Sequence, residues 1–285
     1  MSRRLIAHID DVGMCHGANT AFVDLFGRGF VTSGSVMVPC PWFPEIADIA
    51  RERPDFDLGV HLTLTSEWPN YRWAPISTAS RASGLIDDDG YMWRNVPALR
   101  ARVDPQAAED EFRAQIERAL ASGIDATHLD THMGAAAVPE LLGIYLRLGR
   151  DYRLPVLLPR EIGSYLDVLS VGEADRTAYA AAAGLAETQG ADRFIITPCV
   201  DPAESDRVYR RMVAELPAGT TFFSLHCNAP GDIEAISPRW APWRTDEHRL
   251  CADPAFHRFV AEQGVELIGY REIRGRLRSA AIQTA

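Results

Sequence analysis

Short apolar runs rich in β-branched residues alternate with longer amphipathic segments along almost the whole chain. The short runs, read as strands, fall at 5–9, 35–38, 58–62, 126–131, 156–158, 194–197, 222–226 and 265–269. Between them lie helical patterns at 19–27, 43–51, 105–121, 140–150, 203–216 and 254–263, several opening on an acidic turn or a proline. A repeated strand-then-helix order implies a parallel sheet, and seven or eight such units imply closure. The expected fold is therefore α/β: a single (β/α) TIM-like barrel, allowing for distortion, over one domain, 1–285. No internal repeat, low-complexity tract or linker interrupts it. Two segments break the rhythm. Residues 66–104, after the third strand, lack periodicity and carry Trp68, Tyr71, Trp73, Tyr91 and Trp93; residues 228–248 carry Trp240 and Trp243. Long loops in compact domains are usually functional or disordered, and aromatic content argues against disorder. The first is read as an aromatic-rich insertion, equally suited to stacking on a sugar and to packing beneath the loop.

Composition narrows the function classes. With 285 residues, 47% hydrophobic and 24% charged, the chain is long enough for a sizeable core and ordinary for a globular protein. The net charge of −10 disfavours nucleic acid as partner, since no basic stripe is available to displace counterions. All 29 basic residues are Arg, which excludes Schiff-base chemistry and any lysine-dependent phosphate loop. No apolar run approaches the roughly 20 residues that span a bilayer. The basic N-terminus is followed by an apolar stretch broken at His8 and Asp10, so a cytoplasmic location is expected. Cys15, Cys40, Cys199, Cys227 and Cys251 form no CxxC pair and read as small buried thiols.

Reactive groups in such barrels collect at the C-terminal ends of the strands. Those positions hold Asp10 and Asp11 after the first strand, His61 on the third, His128, Asp130 and His132 on the fourth and His226 after the seventh. His16, His248 and His257 fall in loops or helices and are expected to be incidental. The run THLDTH, residues 127–132, has two readings. As a helix, its histidines would be an i, i+4 metal clasp; as a strand, His128, Asp130 and His132 point to one side. The β-branched threonines and flanking Gly123 and Gly134 favour the strand. At roughly 3.3 Å per residue the two histidines would then lie about 13 Å apart, too far to share an ion. His132, at the open end, is the better ligand; His128 belongs to the core or to the hydrogen-bonded surroundings, and Asp130 orients a neighbour. One carboxylate and two imidazoles with open positions suit a hydrolytic metal centre, and adjacent Asp10 and Asp11 let one bind the ion while the other stays free as base.

The blocks IDDVGMCHGAN at 9–19, GFVTSGSVMVP at 29–39, LGVHLTLT at 58–65 and THLDTH resemble the carbohydrate deacetylases called YdjC or ChbG/HpnK. The resemblance extends to the segment around His226 and to 244–247. It differs in IDDVG for ADDFG, in Met133 and Gly134 where the family carries a further His, and in HCNAPG for the late HPG. It implies a (β/α)-barrel-like fold, a divalent metal held by Asp11, His61 and His132, Asp10 as catalytic base and His226 as catalytic acid. The implied reaction removes an acetyl group from an N-acetylated saccharide: Asp10 deprotonates the attacking water and protonated His226 supplies a proton to the departing amine. Zn, Mg, Mn and Co all remain open as the metal, and a homodimer is left open. The competing classes are a metal-dependent phosphoesterase, with Arg160 and Arg244 as clamps against a default of surface ion pairing, and a carbohydrate-binding protein that has lost catalysis.

Overall fold

The computed structural model describes residues 2–168, 172, 175–185, 188 and 190–283. Among these, the strands are β1 (Arg3–Val12), β2 (Ser33–Val36), β3 (Leu58–Leu62), β4 (Leu129–Thr131), β5 (Arg193–Ile196), β6 (Gly219–Leu225) and β7 (Val265–Leu267). The helices are α1 (His16–Gly27), α2 (Phe43–Glu52), α3 (Val96–Arg100), α4 (Pro105–Ala121), α5 (Pro139–Tyr152), α6 (Gly163–Val168), α7 (Arg176–Ala182), α8 (Pro202–Ala214), α9 (Ile233–Ile236), α10 (Ala241–Cys251), α11 (Pro254–Glu262) and α12 (Tyr270–Gln283). None of the described helices is long and apolar enough to cross a membrane.

Every pairing between these strands is parallel, in the order β4-β3-β2-β1-β6-β5, with β7 beside the first residues of β1. The result is a TIM-like half-barrel whose strand C-termini share one rim. The strand expected at 156–158 is a single bridge from Val156 to Leu129 instead of a ladder. Leu157 N–H donates to Leu129 O, while Arg160 and Glu161 N–H groups donate to Ala191 O and Asp192 O, so this segment links the two ends of the sheet by scattered bonds. β4 is likewise shorter than the expected 126–131, and β6 stops one residue before His226.

Local chemistry explains the helix starts. α4, α8 and α11 each begin with Pro after an Asp N-cap whose side chain accepts a backbone N–H of the first turn, pairing donors the helix cannot satisfy itself. The segment between β3 and α4 contributes no strand to the sheet, but its aromatics are anchored. Buried Trp73 donates its indole N–H to Thr65 O, Trp93 donates to Gly84 O, and the Tyr71 hydroxyl donates to Met14 O. These three pack beneath the loop; Trp68 lines a cavity beside the rim.

Candidate metal and catalytic site

In a regular strand neighbouring side chains point to opposite faces, so Asp10 and Asp11 should not both reach the rim. The pairing of β1 with β2 shifts register between Ile9 and Val12, and Asp11 takes the left-handed conformation at φ 63°. This irregularity re-aims Asp11 toward the space Asp10 faces, a local strain of the kind concentrated at functional sites. Met133, at φ 54° directly after His132, is another of the three non-glycine residues with positive φ among the described residues. It turns the chain out of β4 and leaves His132 at the strand mouth.

A cavity of about 200 Å³ is lined by Asp10, Asp11, His61, Asp130, His132, His226 and Arg244. Asp11 Oδ1 lies 3.2 Å from His132 Nδ1 and 3.6 Å from His61 Nε2. One ligand atom from each of the three falls within 4.8 Å of the others. The far nitrogen of each imidazole faces a carboxylate: His61 Nδ1 meets Asp130 Oδ1 at 2.9 Å, and His132 Nε2 meets Glu67 Oε2 at 3.0 Å. Carboxylate-backed histidines are what a metal site uses to fix ring orientation. Asp11 Oδ1 is buried with no hydrogen-bond partner, and its other oxygen accepts from Arg244 Nη1 at 2.8 Å. The donor set thus fits a divalent ion, with an orphaned carboxylate oxygen and two free imidazole edges converging.

The electrostatics agree with that geometry. Burial would raise Asp11, but the Arg244 guanidinium and then His132 hold its carboxyl well below the ordinary range. Burial would lower His132, yet Glu67 and Asp11 push it up to about 10, so the surroundings call for positive charge there. Burial raises Asp10 to about 6, against the pull of His61 and His8. Asp10 Oδ2 accepts from Ser224 Oγ at 2.8 Å and lies 3.9 Å from His226 Nε2. Burial and then Arg244 lower His226 to about 3, which favours the neutral imidazole.

His128 lies a layer down, fully buried and stacked on Tyr270 at 3.9 Å, with Nδ1 on Thr127 Oγ1. A Cβ at Gly59 would come within 2.5 Å of its ring, so only glycine fits opposite it on β3. His8, His128 and Asp130 also bring ligand atoms within 4.8 Å. However, both nitrogens of His8 bond the hydroxyls of Ser33 and Ser35, and Asp130 is committed to His61 and Ser35, making this a hydrogen-bonded layer.

Several site residues escaped the sequence reading. Arg244 is no surface ion pair: it is buried on α10 against Asp11, whereas Arg160 is exposed beside Asp192 as expected. Glu67, in the long segment after β3, and Glu247, which accepts the backbone N–H of His226, were not singled out. The 244–247 block, with Arg244 and Glu247 one helical turn apart, was the available signal. Of the incidental histidines, His16 meets Glu45, His248 meets Asp24 and His257 meets Cys251 O. Cys199 is exposed, unlike the other four cysteines.

Similar proteins complete the picture. The family model for YdjC-like proteins matches residues 4–262. A carbohydrate deacetylase of Thermus thermophilus is 34% identical over 91% of this chain and 90% of its own. Another, of Thermoanaerobacter pseudethanolicus, is 28% identical over 93% and 97%. A crystal structure from Enterococcus faecalis, of a candidate cellobiose-phosphate cleavage protein, superposes with TM-score 0.78 at 23% identity, covering 96% of this chain and 99% of that one, and supports the fold. A match over nearly the whole chain, joined to a rim that gathers the residues of its first, third and fourth blocks, identifies this chain as a member of the YdjC-like protein family.

Proposed function

We propose that the chain is a metal-dependent hydrolase that removes the acetyl group from an N-acetylated sugar or oligosaccharide, releasing acetate. The observation that carries this reading is the convergence of Asp11, His61 and His132 beside a carboxylate, Asp10, that is not needed as a ligand. The names of the two carbohydrate deacetylases support it. A divalent ion held by the three residues supplies Lewis-acid polarisation of the acetamide carbonyl and of water.

The remaining work falls to the side chains. Asp10, raised toward neutrality by burial, is matched to take a proton from the attacking water. Ser224 fixes one of its oxygens. The departing amine needs a proton, because an amide anion is a very poor leaving group. His226 stands 3.9 Å from Asp10 on the β6 side, and as a neutral imidazole it relays the proton Asp10 has taken up. Its backbone is fixed by Glu247 and its ring lies 5.3 Å from Trp243. Arg244 holds Asp11 in place through the cycle. A wider cavity of about 620 Å³ shares Met133, His226 and Arg244 with the inner one and adds Trp68, Trp240 and Trp243. These indole faces match the apolar faces of pyranose rings.

The test is acetate release from a panel of N-acetylated mono- and oligosaccharides by zinc-, cobalt- and manganese-loaded protein. One acetate per free amine is expected from at least one sugar. No acetate from any sugar with any of these metals, or phosphate release instead, would overturn the reading.

A further inference from the structure

We infer that His8 is a positioning residue that holds the two active-site carboxylates Asp10 and Asp130 in one frame; its kinetic test rests on the deacetylase reading, its metal-binding test does not. His8 lies two residues before Asp10 on β1, so both side chains point into the barrel. It is fully buried, between Phe222 at 4.7 Å and His128 at 5.0 Å ring to ring. Its Nδ1 meets Ser33 Oγ at 2.8 Å. Its Nε2 lies 3.0 Å from Ser35 Oγ, 3.2 Å from Asp130 Oδ2 and 3.4 Å from Asp10 Oδ1.

Proton counting shows why this edge matters. Ser35 Oγ is within bonding distance of His8, His61 and Asp130, but a hydroxyl has one proton to give. Asp10 Oδ1 is buried and has no hydrogen-bond partner, and His8 Nε2 is the nitrogen facing it. With the proton on Nε2 and the Ser33 hydroxyl donating to Nδ1, His8 is satisfied at both ends and presents its N–H between the carboxylates. One of these, Asp10, is the proposed base; the other, Asp130, orients His61. His8 thereby ties the base to the support of a proposed metal ligand, although it touches neither substrate nor ion.

Two variants separate positioning from packing. His8→Leu keeps approximate volume and removes both ring nitrogens; His8→Gln returns an amide N–H near Nε2. We expect His8→Leu to bind zinc about 10-fold more weakly, in the range typical for loss of a group behind a ligand. Its kcat should fall about 10- to 100-fold while KM stays within about twofold. His8→Gln should recover most of both at the same Tm. Should His8→Leu not fold, His8→Asn, whose shorter amide reaches Ser33 but not the carboxylates, takes its place. Wild-type zinc affinity and kcat in His8→Leu, or equal losses in His8→Leu and His8→Gln, would overturn the inference. If the wild type released no acetate, the deacetylase reading would fall, and zinc affinity across the variants would still decide the role of His8.

Discussion

Asp11 and Asp57 are both buried carboxylates at opposite ends of the parallel strands, one near the C-terminal end of β1 and the other just before β3. At the N-terminal end, Asp57 has both oxygens bonded, to Thr127 Oγ1 at 2.5 Å and to the backbone N–H of Arg271 at 2.7 Å. The side chains of Arg271 and Arg274 on α12 then fork onto Asp125 and the carbonyls of Phe56 and Ala126, closing that end. At the other end, Asp11 has one oxygen on Arg244 and the other orphaned among imidazoles, on a backbone with positive φ. A saturated carboxylate serves the fold. An unsaturated one, held in place by strained backbone and a buried cation, is available for chemistry.

The comparison breaks if the ends behave alike. The largest effect is expected at the rim: Asp10→Asn should lower kcat about 10²- to 10⁴-fold, the usual range for general acid–base catalysis, with zinc content unchanged. Loss of zinc in this variant would make Asp10 a ligand and move the base elsewhere. Next, Arg244→Met leaves Asp11 buried without its cation, a loss of about 3–5 kcal/mol in denaturant titration. Because a divalent cation replaces the lost charge, the penalty should shrink when zinc is added; an equal penalty with and without zinc would separate Arg244 from the metal site.

At the saturated end, effects should fall on stability alone. Asp57→Asn turns an acceptor into a donor opposite the Arg271 N–H and should cost about 1–3 kcal/mol with turnover within about twofold. A large kcat loss without destabilisation would contradict the division. The smallest effect concerns Asp125, held down at about 2 by the hydrogen bond from Arg274, with burial opposing and Arg271 assisting. A folded value below the ordinary 3.8 means that the ionised form stabilises above that pH and the contribution vanishes as pH falls through about 2. The carboxylate is 55% exposed, so screening limits this to about 1 kcal/mol or less. The Tm gap between wild type and Asp125→Asn should therefore be constant above about pH 5 and close by about pH 2; a gap that widened on acidification would reverse the sign.

What the sequence made legible follows physical range. β1, β3 and β6 announce themselves through local apolar runs, and the strand reading of THLDTH separates His132 at the mouth from His128 beneath it. Residues 156–158 have the apolar character of a strand, but their single bridge depends on Leu129 in another element, a partner that no local pattern reveals. Asp10 and Asp11 were visible as a pair, whereas the register shift that lets both face the rim was not. Arg244 meets Asp11 across 233 positions and Glu67 meets His132 across 65, so composition alone made each look like one more surface charge. His8 was passed over because a histidine inside an apolar run reads as an interruption, and only the neighbouring strands supply Ser33, Ser35 and Asp130 around it.

The central claim is that one divalent ion sits on Asp11, His61 and His132, above the hydrogen-bonded layer that contains His128. The most direct measurement is zinc stoichiometry and affinity, by competition with a chelating dye, for wild type, His132→Ala and His128→Ala. The account predicts about one zinc per chain in wild type and in His128→Ala, the latter with a lower Tm, and no retained zinc in His132→Ala. Retention of zinc by His132→Ala together with its loss from His128→Ala would contradict the account.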